Sequence, residues 1–217
     1  AAKLHSEVIV GIKVRLSKGI VGENDLVALD RAIEAADELG KPTMIHIGGS
    51  VSGCDKFLEK LRPGDIVTHS FTGGPNGILD NNNKVIDAAW DAMNRGIIFD
   101  VGHGGGSFCW RNAIPSIEQG FYPDSISTDL HTSCMNDEMQ DMTNVMSKFL
   151  AIGLPLQEIV KESTINPANE IGHPELGHLS VGAVADVTAL SIYEGDFAFL
   201  DVHGGRLPAK REARHAD

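Results

Sequence analysis

The chain is poor in cysteine, poor in basic residues and without a long apolar run, and each scarcity removes a class of protein. Its 217 residues include three cysteines, Cys54, Cys109 and Cys134, and no C-x-x-C pair. Scattered thiols in odd number are no disulfide framework, and without C-x-x-C there is no zinc knuckle or dithiol redox motif. The three read as reduced, structural residues. Lys and Arg number 18 against 30 Asp and Glu, a formal net charge of −12. With no basic run longer than a pair, that balance argues against nucleic acid and anionic membrane as partners and leaves small molecules. No apolar stretch approaches the ~20 residues of a membrane span. The first residues, Ala-Ala-Lys-Leu-His-Ser-Glu, lack a signal-peptide apolar region, so a cytoplasmic protein is expected.

What the chain does have is a regular alternation of β-branched runs with amphipathic helical stretches. Residues 7–16, 42–48, 65–71, 97–101 and 125–130 read as strands, the first of them buried on both faces. Between them, helices are predicted from Asn24 or Asp25 to Leu39, over 55–61, over 84–94, and over 107–119 with Pro115 as an interruption. The first apolar residues of the strands, Val8, Thr43, Ile66, Ile97 and Ile126, are spaced by 35, 23, 31 and 29 residues. A (β/α)₈ barrel uses roughly 250/8 residues per unit. A doubly wound sheet has the same local pattern but gathers its ligand at one switch point, whereas here successive strands all end in chemically capable residues, which favours the barrel. Further helices are predicted over 136–152 and 155–163, with a short helical segment after Thr164. From Leu179 the composition turns to short β-type runs, 185–190 and 197–200, while 208–217 reads as a charged, uninformative tail. The expected organisation is an α/β chain with a partial (β/α)₈ TIM-type barrel over 1–175, followed by the start of a small β-sandwich over 176–217.

The strand ends carry the chemistry. Imidazoles and carboxylates suit zinc and related divalent ions, so His46, His69 and Asp129 form a candidate metal-ligand set. Any one of them alone is more often a hydrogen-bonded structural residue; together they outweigh that reading. Lys13, in a strand read as buried, is costly unless its pKa falls, as in Schiff-base chemistry, or it gains a covalent or ionic partner. His103 lies in a glycine-rich turn, Gly102-His103-Gly104-Gly105-Gly106, whose amides either meet an anionic substrate group or simply make a tight turn. His131 and Arg15 stand two residues beyond Asp129 and Lys13 on the same strand faces and join His103 as substrate-contact candidates. Asp100 reads as a brace to a neighbouring strand.

These motifs resemble the amidohydrolase superfamily of metal-dependent hydrolases, in its dihydroorotase-like and deacetylase-like branch. The residues that carry the likeness are Lys13 in Gly-Ile-Lys-Val-Arg, His46 in Met-Ile-His-Ile-Gly, His69 in Thr-His-Ser-Phe-Thr-Gly and Asp129 in Ser-Thr-Asp-Leu-His. The run from Gly177 to Asp186 is similar to that family's return from barrel to sandwich. The resemblance implies that these strands are the fourth to the eighth of the barrel. It implies that Lys13 is carboxylated and binds metal with His46 and His69, and that Asp129 is both a metal ligand and the catalytic acid–base group. It further implies one or two divalent ions, zinc first with manganese or iron as alternatives, and metal-activated water cleaving an amide, cyclic amide or ester bond. One departure stands out: the family's first barrel strand carries a His-x-His pair, and none occurs here. A truncated chain is therefore expected, one that associates with further copies through its open strand edges. Two rival readings remain, a Schiff-base aldolase or lyase with Lys13 as nucleophile, and an inactive fragment.

Overall fold

Four parallel strands, paired in the order in which they occur, form the frame of the molecule. A computed structural model describes residues 1–216. After a single 3₁₀ turn at Ala2–Leu4 come β1 (Ile12–Arg15), α1 (Lys18–Val21), α2 (Asp25–Leu39), β2 (Thr43–His46), α3 (Cys54–Leu58), β3 (Ile66–Thr68), α4 (Asp87–Asn94), β4 (Ile98–Asp100) and α5 (Trp110–Glu118). Three helices follow, α6 (Met142–Ile152), α7 (Leu156–Glu162) and α8 (Ile165–Glu170). An antiparallel hairpin of β5 (Leu190–Leu200) and β6 (Arg206–His215) ends the described chain. Among the described residues no helix is long and apolar enough to cross a membrane.

The register divides the sheet into two faces. Val14, Ile45, Val67 and Phe99 are aligned across the four strands. Ile45, Val67 and Phe99 are fully buried within the hydrophobic cluster that also holds Leu29, Phe57 and Ala89 from α2, α3 and α4. Burying side chains of this size is worth ~1.5–3 kcal/mol each. The opposite face carries Lys13 beside Met44, Arg15 beside His46, His46 beside Thr68, and Thr68 beside Asp100.

Several expected boundaries move, each for a visible reason. The fifth strand contracts to one parallel bridge, Asp100 to Ser125, yet 125–128 still lies along the extension of β4: the N–H groups of Val101 and His103 donate to the Ser125 and Ser127 carbonyls. The helix expected at 84 begins at Asp87, because Leu79 and Val85 close an antiparallel bridge around a turn in which the Lys84 N–H donates to the Asp80 carboxylate at 2.8 Å. The helix expected at 107 begins at Trp110, since Cys109 is drawn into extended backbone by a bond to the Phe71 carbonyl, and it runs through Pro115. Turns occupy 132–139, so the helix expected from 136 starts at Met142, capped by the Asp141 carboxylate accepting from Asn144 N at 2.8 Å. The tail read as uninformative is β6, whose buried Ala209 and Ala213 pack in the core. Its partner strand begins only at Leu190, leaving 185–189 without regular structure.

Candidate metal centre

His46 ends β2 on the face that carries Arg15 and Thr68, as strand alternation requires. His69 follows Thr68 directly, so alternation alone would turn it to the opposite face. The chain instead enters the left-handed region at His69, φ 70°, and brings the two imidazoles together with centroids 4.0 Å apart and planes at 69°. A left-handed histidine is uncommon and costs about 1 kcal/mol or more, a strain that persists where the surroundings impose it. Asp129, at φ 46°, is held in the same way.

The second nitrogen of each ring decides what His69 can do. Its Nδ1 lies 2.6 Å from the Gly102 carbonyl, and a carbonyl only accepts, so Nδ1 carries the proton. Nε2 is then left with its lone pair exposed to the site. It is buried, and among the described residues it has no hydrogen-bond partner. An orphaned, tautomer-fixed imidazole nitrogen is the form in which histidine binds a metal. Burial first, then the proximity of the His69 ring and of the Arg15 and Lys13 cations, pushes the His46 pKa down to about 3. Burial also lowers that of His69. Both rings are neutral at pH 7, which metal ligation requires.

Beneath the pair, Asp100 accepts from three hydroxyls: Thr68 Oγ1 at 2.5 Å, Ser127 Oγ at 2.9 Å and Ser125 Oγ at 3.1 Å. It thus braces the fifth strand, as its position suggested, while burial raises its pKa against the pull of those bonds. Glu170 comes in from α8 beside Ser125, and burial lifts its pKa to about 7. A 430 Å³ cleft lined by Arg62, Asp65 and Glu170 opens at the amino ends of the strands, away from the histidines.

The remaining candidates divide. Lys13 and Arg15 are exposed rather than buried, because β1 is the last strand of the open sheet and no neighbour among the described residues pairs with its outer edge. The expectation of a buried cation at Lys13 is corrected accordingly; what survives is its place on the histidine face, two residues before Arg15. Arg15 Nε lies 3.5 Å from Ser17 Oγ, at the limit of a hydrogen bond. Asp129 is exposed at the strand-end rim, its carboxylate against Gly104. His131 is exposed too, and its ring meets Ser133 Oγ at 2.8 Å. His103 is fully buried: Nδ1 donates to the Gly104 carbonyl at 2.8 Å and Nε2 accepts from Lys148 at 2.7 Å. Both nitrogens are thus engaged within the fold, and neither is free for the expected substrate contact in this conformation. The amides of Gly102, His103 and Gly104 are likewise bonded to Ser127 and Thr128, so these three are not free to meet an anion.

Among the described residues no three His, Cys, Asp or Glu side chains converge tightly enough to hold an ion by themselves. The histidine pair fits a metal; the rest of its shell needs other donors. Sequence reading missed Lys148, whose signal is a lone cation inside the apolar run Val145-Met146-Ser147-Lys148-Phe149-Leu150.

No family model matches the chain. It is 37% identical over 214 residues to a deacetylase of Brucella anthropi, a match covering 98% of this chain and 53% of that protein. The crystal structure of an adenine deaminase superposes with TM-score 0.94 at 33% identity, covering 99% of this chain and 59% of that one. A dihydroorotase crystal structure superposes with TM-score 0.88 at 34% identity, covering 99% and 58% respectively. The chain thus spans about half the length of the curated relatives it matches, and its open sheet corresponds to part of their TIM barrel. On these likenesses and the strand-end residues that carry them, the chain belongs to the amidohydrolase superfamily, among its deacetylase and dihydroorotase relatives.

Proposed function

We propose that this chain carries part of the metal centre of a hydrolase that cleaves an amide, cyclic amide or ester bond of a small molecule. The observation that carries the reading is the His69 Nε2 lone pair, buried and without a partner among the described residues, on a ring whose centroid is 4.0 Å from that of His46. A divalent ion, zinc in the first instance, would supply a Lewis acid there. His46 and His69 would hold it through neutral imidazole nitrogens. Lys13 would complete the shell as a carbamate, which turns a repelled ammonium into an anionic oxygen donor. Asp129, at the rim beside Gly104, would accept the proton of the attacking water and return it to the leaving group, a role worth about 10²–10⁴-fold. His131 and Arg15, both exposed on this side, are proposed substrate contacts. The names of the relatives, deacetylase, adenine deaminase and dihydroorotase, support carbon–nitrogen hydrolysis as the class without fixing the substrate. The Schiff-base alternative needs a desolvated amine, and the exposure of Lys13 argues against it. We further propose that the chain self-associates through its open sheet edge.

Zinc titration of the purified 217-residue chain by calorimetry tests the reading. Stoichiometric binding is expected, lost on His46→Ala and on His69→Asn. Asparagine tolerates positive φ and keeps a donor for the Gly102 carbonyl, so the second variant should remain folded. Wild-type zinc affinity in both variants would remove the histidine pair from the metal centre.

A further inference from the structure

Lys148 is a fully buried amine on α6 with no part in the metal shell, and its surroundings show what it does. Its Nζ donates to His103 Nε2 at 2.7 Å and to the Glu138 carbonyl at 2.6 Å, and it lies 5.6 Å from the Phe108 ring centroid. The Gly104 carbonyl beside Nδ1 only accepts, so the ring proton sits on Nδ1 and His103 Nε2 is left to accept from Lys148. That proton is the one given to the Gly104 carbonyl. The ring itself is clamped flat against Phe108, centroids 4.7 Å apart and planes at 15°.

The loop so held bears directly on Asp129. The Gly104 N–H donates to the Thr128 carbonyl at 2.8 Å, one residue before Asp129. A Cβ placed on Gly104 would come within 2.9 Å of Asp129 Oδ2, at a φ of +50°. Backbone and carboxylate therefore touch with no room between them. The base of the relay is fixed as well, because Ser147, next to Lys148, accepts from Ala213 N of β6 at 2.8 Å and donates to the Thr143 carbonyl at 2.6 Å.

We infer that Lys148 and His103 are positioning residues for Asp129: Lys148 fixes the His103 tautomer, His103 fixes the Gly104 carbonyl, and Gly104 sets the carboxylate at the mouth of the metal centre. The consequence for catalysis rests on the hydrolase reading above; the relay itself does not. It also explains why a histidine in the glycine turn has its ring facing inward, and why the hairpin, through Ser147, is coupled to a strand end on the sheet.

The test is NMR of the 217-residue chain with labelled histidine and backbone. His103 should give the signals of a neutral ring with its proton on Nδ1. Lys148→Met removes the donor at nearly constant volume. It should move the His103 Nε2 resonance toward that of a free acceptor, shift the Gly104 amide and the Asp129 carboxyl signals, and speed Gly104 amide exchange about tenfold. The double variant Lys148→Met/His103→Asn supplies an amide donor at the place of Nδ1 that needs no tautomer fixing. It should restore the Gly104 and Asp129 signals, a rescue that a purely structural role for Lys148 would not produce. Unmoved Gly104 and Asp129 signals in Lys148→Met would overturn the relay. So would a double variant no nearer to wild type than the single one, whether both fold or neither does. Zinc titration of the wild type runs alongside: a chain that binds no zinc at His46 and His69 sinks the hydrolase reading, while the response of Gly104 and Asp129 is read independently.

Discussion

His69 and Gly102 are joined by a 2.6 Å hydrogen bond from imidazole Nδ1–H to glycine carbonyl, spanning the carboxyl ends of β3 and β4. The glycine is required on two counts. Its φ is +48°, and a Cβ there would sit 2.1 Å from Thr68 Oγ1 and 2.8 Å from His69 Nδ1. Gly102→Ala must therefore push the carbonyl away from the ring or tilt the ring itself. We expect a loss of about 2–3 kcal/mol in stability, read as a melting temperature lower by roughly 5–10 °C. Zinc affinity should fall about 10–100-fold, the usual effect of disturbing a ligand's outer hydrogen bond. A variant that melts within about 2 °C of wild type and keeps its affinity would show that Gly102 does not hold the ring.

Lys13 offers a test that separates two chemistries. If it is carboxylated, ¹³C-labelled bicarbonate with zinc should give a carbamate carbonyl resonance that Lys13→Ala abolishes. Zinc affinity should drop in that variant and return in part with a short carboxylic acid such as acetate. If instead borohydride traps a carbonyl compound on Lys13, the Schiff-base reading displaces the carbamate.

The parallel frame was legible because it rests on composition that survives without neighbours: β-branched runs at near-constant spacing, with Val14, Ile45, Val67 and Phe99 on one face. The site was half legible. Residue type and order pointed to His46 and His69, but strict alternation would have turned His69 away, and only its left-handed backbone brings the rings together. The burial of Lys13 was misjudged because the sequence shows an apolar strand and not that it lies at the sheet edge. The inward bond of His103 was not legible because its partner, Lys148, is 45 residues away, and no local pattern announces a long-range bond between a turn and a helix. The strand β6 was missed because its inward residues, Ala209 and Ala213, are small among charged neighbours, an alternation too weak to read as a strand.

Glu162 should make stability depend on pH. It is 7% exposed at the end of α7, and its Oε2 has no hydrogen-bond partner among the described residues. Burial first, then the charges of Glu158 and Asp124, raises its pKa to about 8 from an ordinary 4.5. An acid whose folded pKa is raised stays protonated in the fold while the unfolded chain ionises. Its stabilising contribution is complete below pH 4.5 and is lost as pH rises toward about 8. Lys148, lowered by burial to about 7, has the opposite slope above that pH, so the difference between variant and wild type is the quantity to read. Urea melts of Glu162→Gln should show a gain over wild type that grows between pH 5 and 8. A difference that stays constant across that range would mean that Glu162 is ionised in the fold or reaches water.

The outer edge of β1 carries the last prediction. The N–H groups of Ile12 and Leu16 point inward, donating to the Pro42 and His46 carbonyls, so those of Lys13 and Arg15 point outward from a strand with no neighbour on that side. Unpaired strand edges recruit other chains. The 217-residue chain should therefore show concentration-dependent association by light scattering. Arg15→Pro removes one outward donor at an edge position where proline is tolerated, because it takes no bond from the pairing with β2. We expect a smaller associated fraction with a melting temperature little changed. The same association in the variant would place the contact elsewhere, on the exposed Leu179, Val181, Val184 and Val187 for example. A wild-type chain that stays monomeric at high concentration would mean that the edge is already protected, by the charged side chains of Lys13 and Arg15 that flank it.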